Sequence, residues 1–258
     1  MAIHLISSVT GWNGRIVTQV AIDNCGAGGL AHHGTTGISV GKGIFEVQYA
    51  NCLAGNNNYG QIYFYETNRN YWPNYFNYKF DWAMDSSPSD WGFWTVGMNN
   101  AQAYMMCHYL GCELEYGGTN NMLQTWHDGS IQEMVNSFDY TWDSCWIKKN
   151  MPWRPAGTIN SLMQGFLIYG YDNWGGFDFL DGVYDGIQDP TIPERVDVLD
   201  YETCRDNVYK IWSKAANRDL INFFENVLRW PITDSAKSWV AAIVRSYFKT
   251  KDILNLRD

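Results

Sequence analysis

The residue best placed to do chemistry is Cys25, in the run Gln19-Val-Ala-Ile-Asp-Asn-Cys25-Gly26. It follows a strand-like stretch and two helix-capping residue types, Asp23 and Asn24. A cysteine in the first turn of a helix feels the positive end of the helix dipole, which lowers its pKa and raises its thiolate fraction. Gln19 stands six residues upstream, from where its amide could point at a developing oxyanion. The chemistry expected of such a pair is acyl transfer through a cysteine nucleophile.

Gln19, five residues, then Cys25-Gly26 resembles the opening of papain-like cysteine enzymes. The segment Asp23-Asn-Cys-Gly-Ala-Gly-Gly-Leu-Ala-His-His-Gly34 most resembles two bacterial branches. One is the double-glycine leader peptidase domain of bacteriocin exporters, the other the butirosin-biosynthesis type of acyltransferase. That family opens a buried strand, ending in Gly-Tyr, with the catalytic His; the next strand brings an Asn or Asp that orients it. On those positions stand Gln164, at the head of Gln164-Gly-Phe-Leu-Ile-Tyr-Gly170-Tyr171, and Asp181 of Phe177-Asp-Phe-Leu-Asp181. The resemblance spans roughly residues 15–190 in layout and is specific at the motif positions. It implies an α+β papain-like core over residues 1–194, with a helix-borne Cys25 packed on a twisted antiparallel sheet. A helical C-terminal extension covers 195–258. It also implies cleavage or transfer of an amide or thioester acyl group, in bacterial natural-product biosynthesis, with a peptide substrate or an acyl group on a carrier protein. Gln164 departs from the pattern, since an amide cannot draw the proton from a thiol. Three readings stay open: a pseudoenzyme that keeps the cleft, a substitution that traps a complex, or another base among His127, His108, His32 and His33.

Other groupings are less specific. Cys107, His108 and Cys112, with Cys25, His32, His33 and Cys52, match no standard zinc spacing, so no metal and no cofactor is expected. Asp172, Asp178, Asp181, Asp185 and Asp189 do not fit the EF-hand spacing and read as a solvated acidic loop. Glu113 and Glu115 are expected on opposite sides of a short strand, and so not as a paired acid and base. The rings of Tyr71-Trp72-Pro73-Asn74-Tyr75-Phe76, with Trp82, Trp91 and Trp94, serve core packing or line a groove. There is no phosphate-binding Gly-rich loop, dinucleotide fingerprint or Gly-x-Ser-x-Gly elbow.

The elements that must position these residues read as strands first and helices last. Strands are expected at Arg15–Ile22, Ile38–Val40, Ile44–Tyr49, Gln61–Glu66, Glu113–Tyr116, Leu162–Tyr171 and Phe177–Leu180. Apolar spacing predicts helices over Asn100–Leu110, Asp200–Lys214, Arg218–Trp230 and from Asp234 or Ser235 to Lys249. Ser130 and Glu133 form a capping box for a helix to Ser137.

Composition bounds the rest. The chain has 258 residues, 46% of them apolar and 17% charged, which excludes intrinsic disorder. A net charge of −9 argues against nucleic acid. The acidity is uneven: residues 1–147 carry 4 basic and 12 acidic side chains, residues 207–258 carry 9 and 5. No apolar run approaches the length of a membrane span, and Met1–Thr10 has no basic n-region, so a cytoplasmic protein with reduced thiols is expected. Two further readings are a non-catalytic binding module with an aromatic-lined groove, and a β-rich structural or toxin-like protein built on the Asn/Tyr/Trp-rich segment 56–94.

Overall fold

A computed structural model describes residues 18–23, 29–31, 37–70, 93–116, 119, 121–129, 141–147, 159–194 and 200–254. They divide into two units: one takes in the described residues of Met1–Tyr75, Phe93–Ile131 and Asn160–Tyr169, the other those of Phe76–Gly92, Gln132–Ile159 and Gly170–Asp258.

In the first unit, β1 (Thr18–Ile22), β2 (Gly29–Ala31) and β3 (Gly37–Gly41) form a mixed sheet in the order β1-β3-β2. β1 runs parallel to β3 from Thr18↔Gly37 to Ile22↔Gly41, and β2 runs antiparallel to it. Helix α1 (Lys42–Leu53) follows, then β4 (Asn58–Gly60), α2 (Gln61–Asn70), α3 (Phe93–Leu110), β5 (Glu113–Glu115) and α4 (Met122–Asp128). β4 and β5 pair in parallel, Asn58↔Glu113 to Gly60↔Glu115. Ile38 and Val40 of β3 are buried, with Ile62 and Tyr63 of α2 packed on them.

Helix α5 (Ile159–Trp174) leads through a tight turn into α6 (Phe177–Gln188), and the division into units falls within α5. The second unit continues with α7 (Tyr201–Ala215), a π-helical turn at Phe223–Val227 and α8 (Asp234–Leu254). Asp200 caps α7, its Oδ1 accepting from the Thr203 N–H at 3.0 Å. The core is aromatic: Phe224 meets Tyr209 and Trp230 edge-on at 5.4 Å each, and Trp142 meets Trp230 at 4.6 Å.

The papain-like α+β architecture is not what the chain adopts. The described residues are mostly helical, with strands of three to five residues, and there is no twisted antiparallel sheet among them. Four expected strands are helices, for three physical reasons. Leu162–Tyr171 is too long an apolar run for an ordinary strand, and the consecutive burial of Gln164 to Ile168 is that of a helix covered on every side. Over Phe177–Leu180 the period is helical once Val183, Tyr184 and Ile187 are included in the buried stripe. At Gln61–Glu66 the alternating Ile62, Tyr63, Phe64 and Tyr65 are only half-buried, while the buried positions of α2 are polar: Gln61, Glu66, Thr67 and Asn68. Gln61 donates to Asn100 Oδ1, and Asn68 Nδ2 to the Asn99 carbonyl at 3.3 Å. A hydropathy pattern cannot register the burial of polar side chains. Ile44–Tyr49 is likewise helix α1.

The Gly-Tyr signature acquires another meaning. A Cβ on Gly170 would collide with the Phe179 ring, so the glycine lets α5 and α6 approach closely. Gly182 and Gly186 do the same against Ala215 and Ile211 of α7. The acidic run is therefore no loop: Asp178, Asp181 and Asp185 are the solvent face of α6. The strands expected at Arg15–Ile22, Ile38–Val40 and Glu113–Tyr116 are found as Thr18–Ile22, Gly37–Gly41 and Glu113–Glu115, with 15–17 outside the described residues; the helices expected at Asn100–Leu110, Asp200–Lys214 and from Asp234 or Ser235 to Lys249 are found as Phe93–Leu110, Tyr201–Ala215 and Asp234–Leu254. Arg218–Trp230 is not one long helix, and the helix from Ser130 lies outside the described residues.

Candidate functional site

Of the residues singled out for cysteine chemistry, Gln19, Gln164 and Asp181 are among the described residues and Cys25 is not. Cys25, His32 and His33 lie outside the described residues, as do Tyr71–Phe76, Trp82 and Trp91. Gln19 sits on β1, in register with Ile38 of β3. Gln164 belongs to the first unit and Asp181 to the second, each on a helix rather than on neighbouring strands. Gln164 is a core residue, 3% exposed, and its Nε2 has no hydrogen-bond partner among the described residues. Asp181 is exposed, and partial burial together with the Asp185 and Asp178 charges pushes its carboxyl above the usual range. His108 is exposed and stacks on Tyr104 at 5.8 Å, while exposed His127 lies 3.4 Å from Asp128.

The first unit instead holds an open cavity of about 750 Å³, within the range of small-molecule sites. Three local features build it. Along α1, Ile44, Val47, Gln48 and Asn51 recur at i, i+3, i+4 and i+7, which places them on one stripe, and that stripe faces the cavity. Asn56, Asn57 and Asn58 form the turn into β4 and supply a second wall. From β5, Glu113 and Glu115 both line the cavity, while Leu114 between them is fully buried. This overturns the expectation of opposite sides: a strand has a period of two, so residues i and i+2 share a face, roughly 7 Å apart.

Hydrogen bonds within the walls show what the cavity can recognise. Gln48 clamps β4, its Nε2 donating to the Asn58 carbonyl at 3.4 Å and its Oε1 accepting from the Gly60 N–H at 2.7 Å. Asn57 Nδ2 donates to the Gly111 carbonyl at 2.6 Å, and Asn56 Nδ2 to Asn51 Oδ1 at 3.3 Å. The Tyr63 hydroxyl donates to the Ile44 carbonyl at 3.3 Å, and burial, with the nearby Cys52, pushes that phenol up to about 12. Four side-chain donors of the wall, from Gln48, Asn56, Asn57 and Tyr63, are thus taken up by protein acceptors. Among the described residues that line the cavity the charged side chains are the two glutamates, and none is Lys, Arg or His.

A smaller pocket of about 280 Å³ adjoins, sharing Gln48 and Tyr63 and otherwise lined by Phe45, Tyr49, Cys52, Tyr59 and Phe64. Phe45 and Tyr49 stack at 6.2 Å, and Tyr59 meets Phe64 edge-on at 6.4 Å. Among the described residues no group of three His, Cys, Asp or Glu could hold a metal ion, and no helix is long and apolar enough to cross a membrane.

Sequence reasoning missed Gln48, Asn57 and Tyr63. The available signals were the helical stripe across 44–51, the triple Asn at 56–58 and the i, i+2 glutamates. Comparison of the chain with protein-family models, curated proteins and solved structures finds no match.

Proposed function

We propose that the first unit is a binding module for a small organic cation, an amine carrying an apolar or aromatic body. The observation that supports it is the imbalance of the cavity: the charges among its described lining residues are carboxylates, and the amide donors of Gln48, Asn56 and Asn57 are taken up by protein acceptors. A ligand there must donate hydrogen bonds and carry positive charge. Phosphates and carboxylates would meet repulsion from Glu113 and Glu115. The aromatic pocket supplies ring faces for the apolar body and cation–π attraction for the charge. The excess of acidic residues over 1–147 draws cations toward it at long range. Acyl transfer by Cys25 draws no support from this geometry, because Cys25 lies outside the described residues.

The test is titration calorimetry with tyramine, against 4-hydroxyphenylacetate and 4-methylphenol, at low and high salt. Tyramine binds, the anion does not, and the neutral phenol binds more weakly. Glu113→Gln and Glu115→Gln each weaken tyramine about tenfold, as expected for loss of one charge-assisted contact. Equal affinity for the amine and the anion would overturn the reading, as would no binding of the amine.

A further inference from the structure

Cys107 and Cys112 belong to no part of the proposed cation site, yet the fold places them against each other. Helix α3 ends in a left-handed cap: Gly111 takes φ +65°, the Cys112 N–H donates to the Cys107 carbonyl at 3.0 Å, and the Gly111 N–H to the His108 carbonyl at 3.3 Å. In this cap the residue after the glycine packs on the residue five positions before it. Here both are cysteines, free and buried at 0% and 3% exposure.

The two thiols are close enough to shift one another's titration, in opposite directions. The neighbouring Cys112 and burial push the Cys107 thiol up, while Cys107 pulls Cys112 down against burial and the Glu113 charge, which favours the Cys112 thiolate. The pair is flanked by exposed Gly111 and Glu113, so one end of it lies just beneath solvent.

We propose that Cys107 and Cys112 form a reversible oxidation site, which a hydroperoxide converts into an intramolecular disulfide. The Cys112 thiolate attacks the peroxide O–O bond; Cys112 becomes a sulfenic acid and hydroxide leaves, taking a proton to give water. The Cys107 sulfur then attacks the Cys112 sulfur. The S–O bond breaks, the S–S bond forms, and the Cys107 proton leaves with the hydroxyl as a second water. Two electrons pass from the thiol pair to one peroxide, and a dithiol reductant restores them. The cap ties the backbone of Cys112 directly to that of Cys107, which brings the two residues side by side as a bridge requires. This inference is independent of the cation reading.

The test is peptide mapping of the full chain. Native protein is treated with near-stoichiometric hydrogen peroxide, quenched with catalase, denatured, alkylated with N-ethylmaleimide and cut with chymotrypsin. Cleavage after Tyr109 or Leu110 separates the two cysteines, so a bridge shows as two peptides held together until dithiothreitol is added. The Cys107–Cys112 pair is expected to accumulate with peroxide while buried Cys204 stays alkylated. In Cys107→Ser the sulfenic acid on Cys112 persists and is trapped by dimedone, which it is not in the wild type. The proposal is overturned if Cys107 and Cys112 remain alkylated after Cys52 has been oxidised, or if Cys112 bridges to another cysteine. Should Cys107→Ser fail to fold, the wild-type map alone decides.

Discussion

Helices α1 and α7 are of similar length and opposite character. α1, with Ile44, Phe45, Val47, Tyr49 and Leu53, has no buried residue; Val47 is 64% and Leu53 71% exposed. α7 buries eleven of its fifteen residues, including Arg205, Asp206, Asn207 and Lys210. So the more apolar helix is the exposed one. Burial on α7 extends to Arg205 and Asp206 because they satisfy one another and their neighbours: the Arg205 guanidinium bonds Asp206 at 3.2 Å and lies over the Trp142 ring at 5.7 Å, and Asp206 accepts from Thr233. In α1, Ile44 and Val47 line the open cavity, and Phe45 and Tyr49 the smaller pocket beside it. Exposed apolar surface of this kind marks a place that a ligand covers. The second unit is thus packed for stability, and the first keeps an uncovered surface.

The largest effect that would test this contrast is in the second core. Phe224→Ala removes a ring packed between Tyr209 and Trp230 and should cost about 3–5 kcal/mol, read by chemical denaturation. Leu53→Ser on α1 should stay within about 0.5 kcal/mol of wild type; a loss comparable to Phe224→Ala would show that α1 is core after all. Glycines sharpen the comparison. A Cβ on Gly182 would sit 2.7 Å from Ala215 Cα, so Gly182→Ala should destabilise by about 1–3 kcal/mol. A Cβ on Gly43 of α1 meets nothing, so Gly43→Ala should stabilise by up to about 1 kcal/mol.

Two smaller effects depend on pH. Burial pushes the Asp189 carboxyl up, but bonds from Lys214 at 2.8 Å and from Thr191 outweigh it and leave it below the ordinary value. A carboxyl depressed in the folded state stabilises above its unfolded pKa, and that contribution is lost as pH falls through the folded value. Asp189→Asn should therefore lower Tm at neutral pH, and the gap should close from roughly pH 4 downward. Asp181 is displaced the other way, by burial and then by Asp185 and Asp178. Asp181→Asn should stabilise by about 0.2–0.5 kcal/mol at neutral pH, a gain that vanishes once the carboxyl is protonated. If Asp181 instead orients a catalytic group, the same substitution abolishes activity without that gain, which a thermal melt beside an acyl-transfer assay separates.

The C-terminal helices were legible because local signals agree there: Asp200 caps, and Val208, Ile211 and Trp212 recur at helical spacing on a buried face. The acidity of residues 1–147 likewise points away from phosphate and toward cations before any fold is known. The expected papain-like fold is not adopted because a Gly-Tyr at the end of an apolar run serves a strand end and a close helix crossing equally well, and here it serves the helix crossing. Gly170 shows that only the neighbour decides: the Phe179 ring occupies the place of its missing Cβ. The same holds for the cavity. Composition by itself determined that Gln48, Asn57, Glu113 and Glu115 are polar. The fold decided that the amide donors are taken up by protein acceptors while both carboxylates share one face of β5. Hydrogen-bond saturation is a property of which groups meet in space, and residues 48, 57 and 113 meet only because β4 and β5 pair side by side.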